Sequence, residues 1–328
     1  SNSFDKFIDN VSIEEVLFDQ ADGTLQVYNH PNNVPRIEYD ATGAVKGLLI
    51  EEARTNLQVQ SGDFSNSAWV KSGSTTVDAS YVAPDGSSTA SKLTSTGAGG
   101  ASGVYDNTGF IGTGKTLTCF MKAGSSGVYG WIEGIVGGTS PNATFDLENG
   151  TVVRSRECDA SIESVGNGWF RCVVGNTTSS MNFFSVGGSD NADSSSPWDN
   201  SSLTQGKFIY AWGAQLEAGS FPTSYIPTTG AAATRARDLA EIPTSAFGYN
   251  NDKGSLVIDV LTPVADQIMP LAYFNQSSFY NSRGLWKSNS GITAVGTDYV
   301  RVAHDGTTTK FSIGQQTQAE YTKLGLSY

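Results

Sequence analysis

The feature that most limits this chain is an alternation of apolar and polar residues with period two. It recurs in short runs from Phe64 to Pro227, broken by turn residues every 8–12 positions. Leu117–Lys122, Val128–Glu133, Trp169–Val174, Met181–Val186 and Phe208–Trp212 are the clearest runs. A strand shows alternate side chains to opposite faces, so such runs read as half-buried strands, and their regular spacing predicts an antiparallel sandwich rather than βαβ units. Composition agrees: glycine is about 11% of the chain against a usual ~7%, and charged residues are well below the ordinary ~25%. Aromatic residues at 11% and hydrophobic residues at 38% suffice to build cores, which argues against global disorder.

Charge and residue supply narrow the function. The net charge of −12 repels phosphate backbones, so nucleic acid is not an expected partner. His30 and His304 are the two histidines, which leaves little material for His-based catalysis or zinc sites. No apolar run of about 18 residues occurs, so no membrane insertion is expected. The chain opens Ser-Asn-Ser, with no methionine and no basic-plus-apolar signal, and reads as a processed or a recombinantly expressed product; any delivery to an outer surface is expected to use another route. Cys119, Cys158 and Cys172 each lie in strand-like runs without CxxC spacing. Buried free thiols are the expected state, and a Cys158–Cys172 bridge is the alternative.

Residues 1–57 read as a preamble in which Val11–Phe18 forms a short helix, with Ser12 as N-cap and Glu15 three positions on. Turn signals follow at Asp22-Gly23, Asn32-Asn33 and Thr42-Gly43, then an apolar strand over Gly47–Glu51. Residues 58–228 form the sandwich, with Ser185–Gln205 as a long polar loop. Residues 229–253 are a small-residue linker. A second β region, 254–328, has room for about six strands by its length, fewer than a closed two-sheet sandwich needs. It is expected to be incomplete, either as a fragment or as a partner to strands from a neighbouring copy.

Several motifs invite a functional reading. Gly109–Thr116 fits the phosphate-loop pattern letter for letter, but no buried strand precedes it and strand-like alternation follows, so it reads as a turn entering a strand. Asp190, Asp193 and Asp199 form a loose acidic loop; a solvated loop is expected, with a structural calcium ion as the one cofactor to consider. Glu14-Glu15 and Glu51-Glu52 are sequence neighbours that point apart on a strand, unlike a glycosidase pair spaced about 5–10 Å across a cleft. No Ser/His/Asp arrangement stands out, and no catalytic residue is assigned.

The aromatic residues carry the most specific expectation. In Val128–Val136, Val128, Ile132 and Val136 share one face and Tyr129, Trp131 and Glu133 the other. With the aliphatic face in the core, Tyr129 and Trp131 stand on the outer or groove face beside a carboxylate. Flat rings stack on sugars while carboxylates accept hydroxyl hydrogen bonds, so Tyr129, Trp131, Glu133 and loop Trp198 are the candidate glycan contacts. Packing beneath a loop is the commoner fate of such rings. Trp69, Trp169 and Trp212 have apolar neighbours and read as structural anchors, and Gly166-Asn167-Gly168 reads as a tight hairpin.

Taken together, Val34–Asp40, Gly47–Leu57, Phe64–Trp69, Ala83–Gly86, Ala90–Leu93, Thr144–Gly150, Gly166–Arg171, Trp212–Glu217, Phe221–Thr228 and Thr234–Asp238 resemble phage tail-fibre and tail-spike virion proteins. The resemblance implies a carbohydrate-binding-module-like jelly roll, followed from Gly254 by the start of a laminin-G/concanavalin-like sandwich. The expected fold class is thus all-β: an antiparallel jelly-roll β-sandwich plus a second, incomplete concanavalin-like β-sandwich after a short preamble. The resemblance implies a non-enzymatic, outward-facing virion protein. The partners it implies are copies of itself in a trimer, other virion proteins and host-surface polysaccharide. A polysaccharide-degrading enzyme or its accessory module, and an architectural adaptor without ligand, are the competing readings.

Overall fold

The computed structural model describes residues 35–39, 44–72, 74–106, 113–134, 140–175, 177–178, 181–192 and 202–248, then six separate strands up to residue 327. The expected helix at 11–18 and the turns at 22–23, 32–33 and 42–43 lie outside the described residues. The chain divides into two compact units between Ala240 and Glu241.

In chain order the first unit has strands β1 (Ile37–Tyr39), β2 (Val45–Leu48), β3 (Arg54–Asn56), β4 (Val70–Lys71), β5 (Thr75–Tyr81) and β6 (Ala90–Ser95). It continues with β7 (Ser102–Asp106), β8 (Lys115–Ala123), β9 (Tyr129–Glu133), β10 (Asn142–Asp146) and β11 (Thr151–Arg156). The last are β12 (Asp159–Gly166), β13 (Trp169–Gly175), β14 (Phe184–Ser189), β15 (Phe208–Ala218) and β16 (Ala233–Arg235). Two six-stranded antiparallel sheets result, ordered β11-β10-β9-β14-β7-β4 and β12-β13-β8-β15-β6-β5. The sequence expectation of an all-β antiparallel sandwich holds.

Period-two alternation builds the core between these sheets. Ile132, Val186 and Val104 lie in one cross-strand row of the first sheet. They are fully buried against Leu117, Cys119, Met121, Cys172 and Val174 of the second. Phe64 and Trp69 close one part of this core, with ring centroids 4.6 Å apart. The β12–β13 hairpin turns on Asn167-Gly168, with φ of 52° and 75°, as the primed two-residue turn requires.

A smaller core lies on the outer face of the second sheet: Phe120, Trp169 and Trp212 pack with Ala83 and Ala90. Strict alternation would put Trp212 on the same side as Leu216, inside the sandwich. A bulge between Trp212 and Gln215 shifts the register and turns Trp212 outward, opposite Phe120. Gly213 enables the bulge, with φ of 66° and no room for a Cβ, which would come within 2.8 Å of the Phe120 ring. The segment after β15 then folds back over this face, setting Tyr225 4.7 Å from Trp212. The three expected tryptophan anchors are therefore buried, Trp69 between the sheets and the other two outside them.

β17 (Ser255–Val260) pairs antiparallel with β22 (Thr322–Ser327). β18 (Met269–Phe274), β19 (Arg283–Ser288), β20 (Tyr299–His304) and β21 (Thr307–Ser312) form a four-stranded antiparallel sheet. No helix among the described residues is long and apolar enough to cross a membrane.

Candidate functional site

The outer face of the first sheet carries the predicted aromatic site. One cross-strand row runs Arg156, Asn142, Glu133, Ser185 and Tyr105; the next runs Arg154, Thr144, Trp131, Gly187 and Gly103. Tyr129 stands one step further along, beside Asp146 and Ser189. Val128 and Ile132 face the core, so the expected division of faces is correct. The exposure that the glycan reading needs is not met by all three. Trp131 is 0% exposed and Glu133 1%, whereas Tyr129 is half-buried.

Part of this burial comes from the strand neighbours of Trp131. Glycine occupies both next positions in its row, and a Cβ on Gly187 would stand 2.3 Å from the indole Cζ2, one on Gly103 2.8 Å. With no side chains there, the indole lies down across two adjacent strands instead of standing up to meet a ligand. Around it Thr144, Asn142 and Ser185 are also buried, and the Ser185 hydroxyl donates to the Glu133 carbonyl at 2.7 Å. Among the described residues, the half-buried groups of this face include Tyr129, Tyr105, Asp146, Arg154 and Arg156. Such a rim can meet hydroxyls and acidic groups; the Trp131 indole, sealed from solvent, cannot stack on a sugar in this arrangement.

Trp198, Asp193 and Asp199 lie outside the described residues. Asp190 is described, and its carboxylate is already engaged: Lys207 Nζ donates to Oδ1 at 2.8 Å, and the Thr204 amide and hydroxyl donate to Oδ2 at 2.6 Å. Burial pushes this carboxyl up, but these hydrogen bonds and the Lys207 charge outweigh it and hold the group below its ordinary value. Among the described residues no three His, Cys, Asp or Glu side chains converge as a metal site would need. Residues 109–112 of the phosphate-loop match lie outside the described residues; its end leads into β8, where Gly114 N–H donates to the Thr177 carbonyl at 2.8 Å and Lys115 N–H to the Thr177 hydroxyl at 3.1 Å. Glu51 and Glu52 do part company, Glu51 ion-paired to Arg36 and Arg235 and Glu52 to Arg54.

Sequence reasoning missed the most organised polar cluster, which ties both flanks of the sandwich to β15. Asn56 is fully buried; it donates to the carbonyls of Ala214 (3.3 Å) and Ile226 (2.8 Å) and accepts from the amides of Gln58 and Leu216, both at 3.0 Å. The buried Glu217 carboxylate accepts from Gln215 Nε2 and from the Thr223 amide and hydroxyl. Nearby, Arg171 donates to the Thr223 carbonyl at 2.5 Å. Burial pulls its guanidinium down, opposed by the charges of Glu217, Glu163 and Glu51. At the margin Arg36 bridges Glu51 and Asp238, and the Glu51 and Asp238 backbones exchange contacts with that same pair. The only hint in sequence is an amide and a carboxylate two apart in an otherwise apolar strand.

Set against known protein families and against curated proteins, the chain matches none of them.

Proposed function

We propose that this chain is a non-enzymatic component of a phage appendage, a tail fibre, spike or similar structure. On this reading the sandwich is a carbohydrate-binding-module-like jelly roll that gives structural attachment and weak binding of host-surface glycan. The observation that carries the reading is the pairing of the entering and leaving strands. β3 and β16 run antiparallel with Ala233 opposite Asn56 and Arg235 opposite Arg54, and the Arg36–Glu51–Asp238–Arg235 cluster locks them together. A module whose entering and leaving strands pair is closed at a single place, which suits a fibre that repeats it in several copies. Copies of the same chain, other virion proteins and an outward-facing place on the particle follow from this role, and several weak sites acting together supply avidity.

The glycan contacts fall to the rim of the first sheet, Tyr129 with Arg154 and Arg156. Titration of host-derived polysaccharide followed by calorimetry, with Tyr129→Ala and Arg156→Ala as surface variants, tests this. Saturable heat that weakens in both variants supports it; flat titrations with every host polysaccharide sink the glycan half. Sustained release of reducing ends during the same incubations would instead make the protein an enzyme. A second reading, an architectural adaptor without ligand, is favoured by the complete burial of Trp131. It predicts flat titrations with particle assembly still dependent on the chain.

A further inference from the structure

The three cysteines are free thiols. Cys119 on β8 and Cys172 on β13 are direct cross-strand partners, and both are 0% exposed in the core between the sheets. Residues directly opposite in an antiparallel pair put their side chains on the same face, with Cα atoms about 4.5–5.5 Å apart. That lies within the window of about 4.4–6.8 Å that a disulfide spans. Cys158 is not a rival. The residue opposite Cys172 on β12 is Ile162, four positions from Cys158, so Cys158 is offset by about 13 Å along the strand. Its thiol instead points to the Asn142 carbonyl at 3.4 Å.

We propose that Cys119 and Cys172 form a cross-strand disulfide when the chain folds in the presence of a small-molecule disulfide such as oxidised glutathione, and that the folded dithiol is closed to the same oxidant. In the open chain one cysteine thiolate attacks the glutathione disulfide and releases one glutathione. The second cysteine thiolate then attacks the mixed disulfide and releases the other. Two protein thiols lose two protons and two electrons, and one oxidised glutathione becomes two reduced ones. Folding removes both requirements for attack. No solvent reaches either sulfur, and burial pushes the Cys119 thiol up to about 12 and that of Cys172 well above its ordinary value, so no thiolate forms near neutral pH. The redox state of the pair is therefore set while the second sheet assembles and is retained afterwards, with or without a covalent staple between two of its inner strands.

The test uses the full chain and a Cys158→Ser variant. Each is refolded from denaturant in a glutathione redox mixture, then denatured and alkylated. The expected result is loss of both remaining thiols in the variant, a mass lower by about 2 Da, and in the unmutated chain a proteolytic peptide joining residues 119 and 172. Reduced protein that is already folded, placed in the same mixture, keeps both thiols over the same period. Three results overturn the proposal: two alkylatable thiols after oxidative refolding, a link from Cys158 to either partner, or oxidation of the folded protein as fast as that of the open chain. Cys172→Ser serves as the control and ends with Cys119 either free or carrying one glutathione.

Discussion

Asn56 offers the sharpest test of how the sandwich holds its own exit segment. Its amide is sealed from solvent, and all four hydrogen-bonding positions are used, two donated to carbonyls and two accepted from amides. Asn56→Ala strands the amides of Gln58 and Leu216 in the interior. At about 1–3 kcal/mol for each unpaired group, with a smaller share from lost packing, the change costs about 3–5 kcal/mol. That is a large part of the ~5–15 kcal/mol that keeps an ordinary domain folded. Asn56→Asp is the more telling variant because it preserves shape and both acceptors while facing a carboxylate toward the carbonyls of Ala214 and Ile226. The ionised form has nothing to donate there, so burial and the two carbonyls raise its folded-state pKa above the unfolded value of about 3.9, against the opposing pull of the two amides that still donate to it. The folded protein then binds a proton that the unfolded chain releases. The stability deficit against the unmutated protein therefore widens as pH rises above ~4, by about 1.4 kcal/mol per pH unit, and levels off once pH passes the raised pKa. Urea denaturation of both proteins at about pH 4.5, 6 and 7.5 reads this directly. A deficit that does not change with pH, or Asn56→Ala within about 1 kcal/mol of the unmutated protein, would refute the four-bond role assigned to this side chain.

Two further substitutions probe other joints. Gly187→Ala sets a carbon 2.3 Å from the Trp131 indole and 2.4 Å from the Ser102 carbonyl. Because the carbonyl belongs to a neighbouring strand and cannot step aside, chemical denaturation should show a loss of about 1–3 kcal/mol together with a shifted tryptophan emission. Gly62→Ala, whose nearest new neighbour is the Trp212 indole nitrogen at 3.8 Å, is the control and should stay within about 0.5 kcal/mol. For the clasp, a double-mutant cycle with Arg36→Ala and Asp238→Ala should give a coupling of roughly 1 kcal/mol at low salt that shrinks in about 1 M salt, since both groups are partly exposed. A coupling indifferent to salt would mean that packing, not charge, holds the exit segment.

What the amino-acid sequence determined by itself was the local geometry. Alternation separated Val128 and Ile132 from Tyr129, Trp131 and Glu133, and the structure keeps that division. Asn167-Gly168 specified its hairpin because few residues other than glycine and asparagine accept positive φ at low cost. The chemistry after Lys115 announced a strand, and a strand follows. Tertiary structure alone decided what covers each face. A strand's pattern says which residues stand together, not whether that side meets solvent, so Trp131 could be assigned to the outer face while exposure and packing both stayed open. Nor can alternation survive an inserted residue: the bulge at Gly213 carries Trp212 to the face opposite the one its spacing implies. The Arg36–Asp238 pair and the Cys119–Cys172 register bring together residues far apart in the chain. Such contacts arise from the order in which strands stack, a long-range outcome of burying the whole core at once, and no window of neighbouring residues contains it.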